Sequence, residues 1–173
     1  MISHKPDQTV VIRTNQYNRI AQTLEQKYVY MPNMMKDYYF IHFLREFADI
    51  STIVFVNTCK KCHILSYVLN ILGIQNVSLH SFLTQKKRKI HLSQFRNEHA
   101  KIMICTDVAS RGLDIRSVDI VVNLDIPRDY KDYIHRIGRA ARGNQRGMSV
   151  SFITENDVKL IKNIESKTQS KMV

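Results

Sequence analysis

Thirteen residues, HRIGRAARGNQRG at positions 135–147, hold four arginines and three of the chain's five glycines. Arg136, Arg139 and Arg142 recur every third position, so a helix carrying all three would spread them over about a third of its circumference and turn them toward one anionic surface. An ordinary helix end accounts for them as well, because cations near a C-terminus are favoured by the macrodipole and Gly143 is a good helix stop. A second segment, TDVASRGLD at 106–114, offers a guanidinium at Arg111, a close backbone approach at Gly112, and carboxylates at Asp107 and Asp114 that can hold hydroxyl groups or an arginine. Two such clusters on one edge of a sheet imply a phosphate-rich ligand.

The sequence CKKC at 59–62 has the C-x-x-C spacing of thioredoxin-like redox proteins, following a candidate strand and opening a candidate helix. Cys62 also starts an apolar stripe with Leu65, Leu69 and Leu72, which makes it a buried core residue on the simpler reading. A zinc site needs two further ligands, and Cys105 and His63 show no second paired spacing, so no metal site is expected. The densest charge run, QKKRK at 85–89, reads either as a solvated helix face or as a nucleic-acid contact.

The elements that must position these residues alternate along the chain. Short runs rich in Val, Ile, Phe and Tyr lie at 27–31, 52–57, 76–80, 101–106, 119–124 and 147–153, and windows of helical spacing at 34–47, 58–72, 84–97, 130–137 and 156–166. This is the pattern of βαβ units, an α/β fold in which helices cover a mostly parallel sheet. Ligands bind outside the carboxyl ends of such strands. Thr58, Cys59, Ser81, the TDVASRGLD segment and Asp125 all fall there.

With 173 residues, the chain suits one domain. Residues 1–25 read as a linker or tail and 26–173 as the domain; Met1 directly before linker-like residues is read as truncation. Twenty-six lysines and arginines against 15 acids give a net charge of +11, which favours a polyanionic partner. No apolar run approaches the ~20 residues of a membrane span and the N-terminus has no signal-peptide core, so a soluble intracellular chain with reduced thiols is expected. The sequence contains no G-x-x-x-x-G-K-[ST] loop, acidic D-E-A-D box, G-x-S-x-G or H-E-x-x-H. Nucleotide chemistry here must borrow its phosphate cradle.

TIVFVNT, LHSFLTQKKR, ICTDVASRGLDI and YIHRIGRAAR resemble motifs IV, IVa, V and VI of the DEAD-box RNA helicases, in the same order and with the usual spacing, over residues 27–154. NTCKKCHIL is also similar to the motif IV region of a nucleolar, ribosome-biogenesis branch. The resemblance implies a RecA-like, mostly parallel sheet with helices on both faces. It makes residues 26–173 the helicase C-terminal domain, the second RecA-like domain of a two-domain motor. The first domain, with its phosphate loop and DEAD box, then holds ATP and Mg2+, and this domain alone does not hydrolyse ATP.

Carried onto matching positions, the resemblance implies that Arg139 and Arg142 are arginine fingers, that His135 couples the domains, and that Asp114 reaches the ribose or the fingers. Gly112 and Arg136 complete the ATP-binding and interdomain set, with Arg136, like Arg146, an interdomain or surface charge. Asn57, Thr58, Arg88, Thr106, Arg111 and Gly112 are implied to hold the RNA backbone without sequence preference. The implied partners are RNA, the N-terminal RecA-like domain and ribosome-assembly factors, for a monomer of the nucleus and nucleolus that binds no membrane. Ser81 departs from a common glycine, and Ala140-Ala141 from a common threonine-containing pair. Two other classes stay open: a thioredoxin-like protein using Cys59 and Cys62, and a non-enzymatic RNA-binding module.

Overall fold

Four of the strands are apolar runs buried on both faces, as a parallel sheet between two helical layers requires: β2 (Thr52–Phe55), β3 (Asn76–Leu79), β4 (Ile102–Cys105) and β5 (Ile120–Asn123). With β1 (Leu24–Tyr30) and β6 (Gly147–Ile153) they form a six-stranded sheet in the order β1-β6-β5-β2-β4-β3. Every pairing among them is parallel. These coordinates are a computed structural model, and the described residues are 24–110, 115, 117–140 and 147–172.

The connecting helices are α1 (Lys36–Glu46), α2 (Cys59–Ile71), α3 (Gln85–Arg96), the short α4 (Asp107–Ser110), α5 (Tyr130–Ile137) and α6 (Val158–Thr168). Alternate strand residues face opposite layers. Val54, Ile104, Val122, Val150 and Phe152 pack against Phe40 and Leu44 of α1 and against Cys62, Leu65 and Leu69 of α2. Ile53, Phe55, Leu79, Met103, Cys105 and Val121 pack on the other face, with Phe95 of α3 and Ala109 of α4. A third cluster joins α5 and α6 through Tyr133, Ile137, Ile161 and Ile164. This is the α/β, RecA-like arrangement with helices on both faces.

Three details differ from the sequence reading. The first strand begins at Leu24 rather than at position 27, because pairing with the seven residues of β6 draws polar Glu25 and Gln26 into the ladder. Leu72 does not belong to the buried stripe: α2 ends at Ile71, and Leu72 is 40% exposed. The last helix starts at Val158, two residues later than position 156, because the Asp157 carboxylate accepts from Thr154 N and Oγ1 and from Lys36 Nζ. Among the described residues, no helix is long and apolar enough to cross a membrane.

Candidate functional site

Parallel pairing puts the C-terminal ends of β2, β4 and β5 side by side, and a single buried guanidinium ties them together. Arg136, 1% exposed, donates from Nε to Asp107 Oδ1 (2.6 Å) and from Nη2 to Asp107 Oδ2 (2.7 Å). Nη2 also donates to Asn57 Oδ1 (3.1 Å), and Nη1 donates to Asp125 O (2.6 Å) and Asn123 Oδ1 (3.3 Å). The Phe55 ring lies 5.1 Å from the guanidinium carbon. A buried arginine is tolerated only when its charge is paired and its donors are met. Here the carboxylate binds side-on, and removing it would cost about 3–5 kcal/mol by leaving a buried charge uncompensated. The surface-charge reading of Arg136 is therefore wrong: it is a buried clasp between α5 and the strand ends.

The even spacing of the arginines does not mark one helical face either. α5 ends at Ile137, so Arg139 lies in the turn beyond it. That turn is fixed by its backbone: Arg139 N donates to Arg136 O (3.0 Å), and Arg139 O accepts from Val118 N (3.0 Å). The Arg139 side chain is half-buried, and His135, on the last turn of α5, is exposed. Arg111, Gly112, Asp114 and Arg142 lie outside the described residues.

The other expected site residues gather at the same edge. Thr58 caps α2, its hydroxyl accepting from Lys61 N (3.1 Å). Asn57 donates from Nδ2 to Ile126 O (3.2 Å), so its amide is committed to the domain on both sides although the residue is exposed. Asp125 accepts from Asn57 N (2.9 Å) and pairs with Lys61. Arg88 on α3 donates from Nη2 to Ala109 O (3.0 Å) of α4. Thr106 Oγ1 and Arg88 Nε are buried with no hydrogen-bond partner among the described residues. Lys86, Lys87 and Lys89 are exposed around Arg88.

Sequence reasoning placed Asp107 at the strand end but did not pair it with Arg136, and Asn123 was not singled out. Asn123 stands where a continuous apolar strand meets a polar triplet with Ser149 and Ser151 of β6, both 3.4 Å from its Nδ2. A polar residue closing a strand of isoleucine and valine was the available signal.

The two cysteines of CKKC are unlike. Cys59 Sγ lies 3.2 Å from Ser81 Oγ, and this hydrogen bond lowers its pKa from the ordinary 9.0. Cys62 is fully buried with Sγ 3.2 Å from Ile104 O, and burial pushes its thiol up to about 12. A dithiol couple needs both sulfurs reachable, so the thioredoxin-like reading does not fit this packing. All three cysteines are free thiols. Among the described residues, no group of three or more His, Cys, Asp or Glu is placed to hold a metal ion.

Residues 35–144, well over half of the chain, match the helicase conserved C-terminal domain. The solved C-terminal domain of the DEAD-box protein Dbp5 superposes with a TM-score of 0.79 at 30% identity, covering 87% of this chain and 89% of that one. The chain belongs to the DEAD-box RNA helicase family. It is the C-terminal, RecA-like domain of that family. S. cerevisiae Dbp5 bound to RNA and ADP BeF3 is similar with a TM-score of 0.83 and 30% identity, over 88% of this chain and 41% of that one. DEAD-box ATP-dependent RNA helicase 36 of Arabidopsis thaliana is 40% identical over 99% of this chain and 36% of its own length. ATP-dependent rRNA helicase rrp3 of Aspergillus fumigatus is 40% identical over 94% of this chain and 34% of its own. This DEAD-box domain thus spans about a third of the length of the curated relatives it matches.

Proposed function

We propose that this domain supplies the arginine fingers of an ATP-dependent RNA helicase and half of its RNA backbone-binding surface. The observation that carries the reading is the Arg136 clasp, which joins the motif IV, V and VI segments at one sheet edge, with Arg139 in the turn that follows α5. The helicase C-terminal domain begins at Leu24 with β1, two residues before the expected boundary at 26, and the residues ahead of it are the linker from the preceding RecA-like domain. Arg139, and Arg142 with it, face the phosphates of ATP bound by that other domain. A loose phosphoryl transition state spreads charge over its equatorial oxygens, and guanidinium groups that meet it contribute about 10³ to 10⁵ in rate. Asp114 and Gly112 assist at the nucleotide, and exposed His135 joins the two domains.

A polyphosphate fits the cationic edge of this domain. Mg2+ is held with ATP mainly by the other domain, and this domain alone is inactive as an ATPase. Splitting phosphate binding and fingers between two bodies makes closure the condition of hydrolysis, and RNA bound across both stabilises the closed form.

Thr106 and Arg88, each with a buried polar atom lacking a partner among the described residues, hold the RNA backbone together with Asn57, Thr58, Arg111 and Gly112. Such contacts read no base edges, so RNA is bound without sequence preference. The similarity to an rRNA helicase supports work on ribosomal RNA, and with it a place in the nucleolus beside ribosome-assembly factors.

In the full-length protein, Arg139→Ala should lower RNA-stimulated ATP hydrolysis by at least about 10³-fold while RNA affinity stays within a few-fold. Steady-state hydrolysis and fluorescence anisotropy measure the two. Undiminished hydrolysis in Arg139→Ala and Arg142→Ala would overturn the finger assignment.

A further inference from the structure

We propose that Asp107 is a positioning residue that passes RNA engagement at the β4 end to the arginine-bearing turn. The proposal rests on Arg139 acting as a finger, and it adds the residue that aims it. Asp107 opens α4, one residue after Thr106, and the same short helix receives Arg88 through Ala109 O (3.0 Å). A phosphate taken up by Arg88 or Thr106 therefore pulls on α4 itself. α4 is joined to α5 by the side-on carboxylate–guanidinium pair at 2.6 and 2.7 Å. Two parallel bonds fix both distance and angle, which a single bond does not. From Arg136, the carbonyl accepts from Arg139 N at 3.0 Å, so a tilt of α5 is handed to the finger turn.

Every link in this path is short and either buried or half-buried, so it can shift as one piece. Arg136 also grips Asn57 and Asp125 O, which puts the end of β2 and the segment after β5 in the same unit. Asp107 itself has no place in the nucleotide or RNA contacts proposed above. Its expected effect on hydrolysis comes through Arg136 and Arg139 alone.

The test uses the full-length protein with Asp107→Asn, which keeps the shape but loses the charge, and Arg136→Lys, which keeps the charge but loses the fork. Both should be less stable than wild type, and assays run below each variant's melting temperature should show RNA affinity and the KM for ATP within about threefold of wild type with RNA-stimulated kcat at least about tenfold lower. Such a split separates misaimed fingers from a weakened site. A folded variant with kcat within about twofold of wild type overturns the proposal. So does a kcat loss matched by an equal loss of RNA affinity, or a melting temperature below the assay temperature in both variants, since the pair is then structural. If Arg139→Ala leaves hydrolysis intact, it is the finger reading beneath the proposal that fails.

Discussion

At the residue scale, the same side-chain type is placed differently three positions apart. Arg136 is buried and Arg139 is half-buried, although both sit in HRIGR and both carry the same charge. The presence of an anion-directed cluster was legible in the arginine count and in its pairing with TDVASRGLD. Which arginine turns inward was not, because that depends on α5 stopping at Ile137 and on a carboxylate 29 residues away. The cysteines give a similar contrast with a direct test. Alkylation follows the thiolate, and as pH rises each thiol's rate climbs through its own pKa. The Cys59 climb should be centred below 9.0, and that of Cys62 near 12. At neutral pH, iodoacetamide should modify Cys59 well before Cys62. Tryptic cleavage after Lys60 and Lys61 separates the two for mass spectrometry, and comparable rates at neutral pH would contradict the packing of Cys62.

At the element scale, the strands and helices were legible almost throughout, because parallel strands buried on both faces are apolar runs and the covering helices carry period-3.6 stripes. α5 is found at 130–137, as its spacing predicts. Errors gathered at ends, where side-chain bonds such as that of Asp157 outweigh periodicity. The short α4 was hidden in TDVASRGLD, since one turn is too short to show a period. Gly147 shows what an element boundary can demand. A Cβ there would lie 1.9 Å from Ala140 O and 2.5 Å from Ala140 C, and both are backbone that cannot swing aside. Gly147→Ala should therefore cost at least about 2 kcal/mol and lower the melting temperature by roughly 4–8 °C. Gly73, at φ +78° with open space around it, is the comparison: Gly73→Ala meets only backbone strain of about 1–2 kcal/mol. Thermal denaturation of both variants measures the difference, and a Gly147→Ala protein as stable as wild type would mean that β6 does not begin against Ala140.

At the scale of the whole molecule, the strand order could not be read from the sequence, because six similar apolar runs do not say which lie side by side. The polarity could, since crossover helices between consecutive strands require parallel pairing. That polarity sets the electrostatics: every strand ends at one edge, where Arg88, Arg136 and the exposed lysines of α3 collect. The opposite edge holds a different surface, a cavity of about 400 Å³ lined by Arg45, Leu72, His99 and Lys101 among others, where Lys101 pairs with Asp49 at 3.5 Å. Arg45 and Lys101 there are offset by Asp49 and Glu98, so charge favours the first edge for RNA phosphates. Single-stranded RNA affinity should fall with salt with a slope of roughly −0.7 per phosphate contact, so three contacts weaken binding about eighteen-fold between 50 and 200 mM. Homopolymers of different base should differ little, because the contacts carry no base readout. Lys87→Ala, beside Arg88, should flatten that slope by about one contact, whereas Lys101→Ala should leave it unchanged. Anisotropy titrations across the salt range decide between them: a slope that responds equally to both substitutions would mean diffuse attraction to a chain of charge +11 and no built phosphate path at the strand ends.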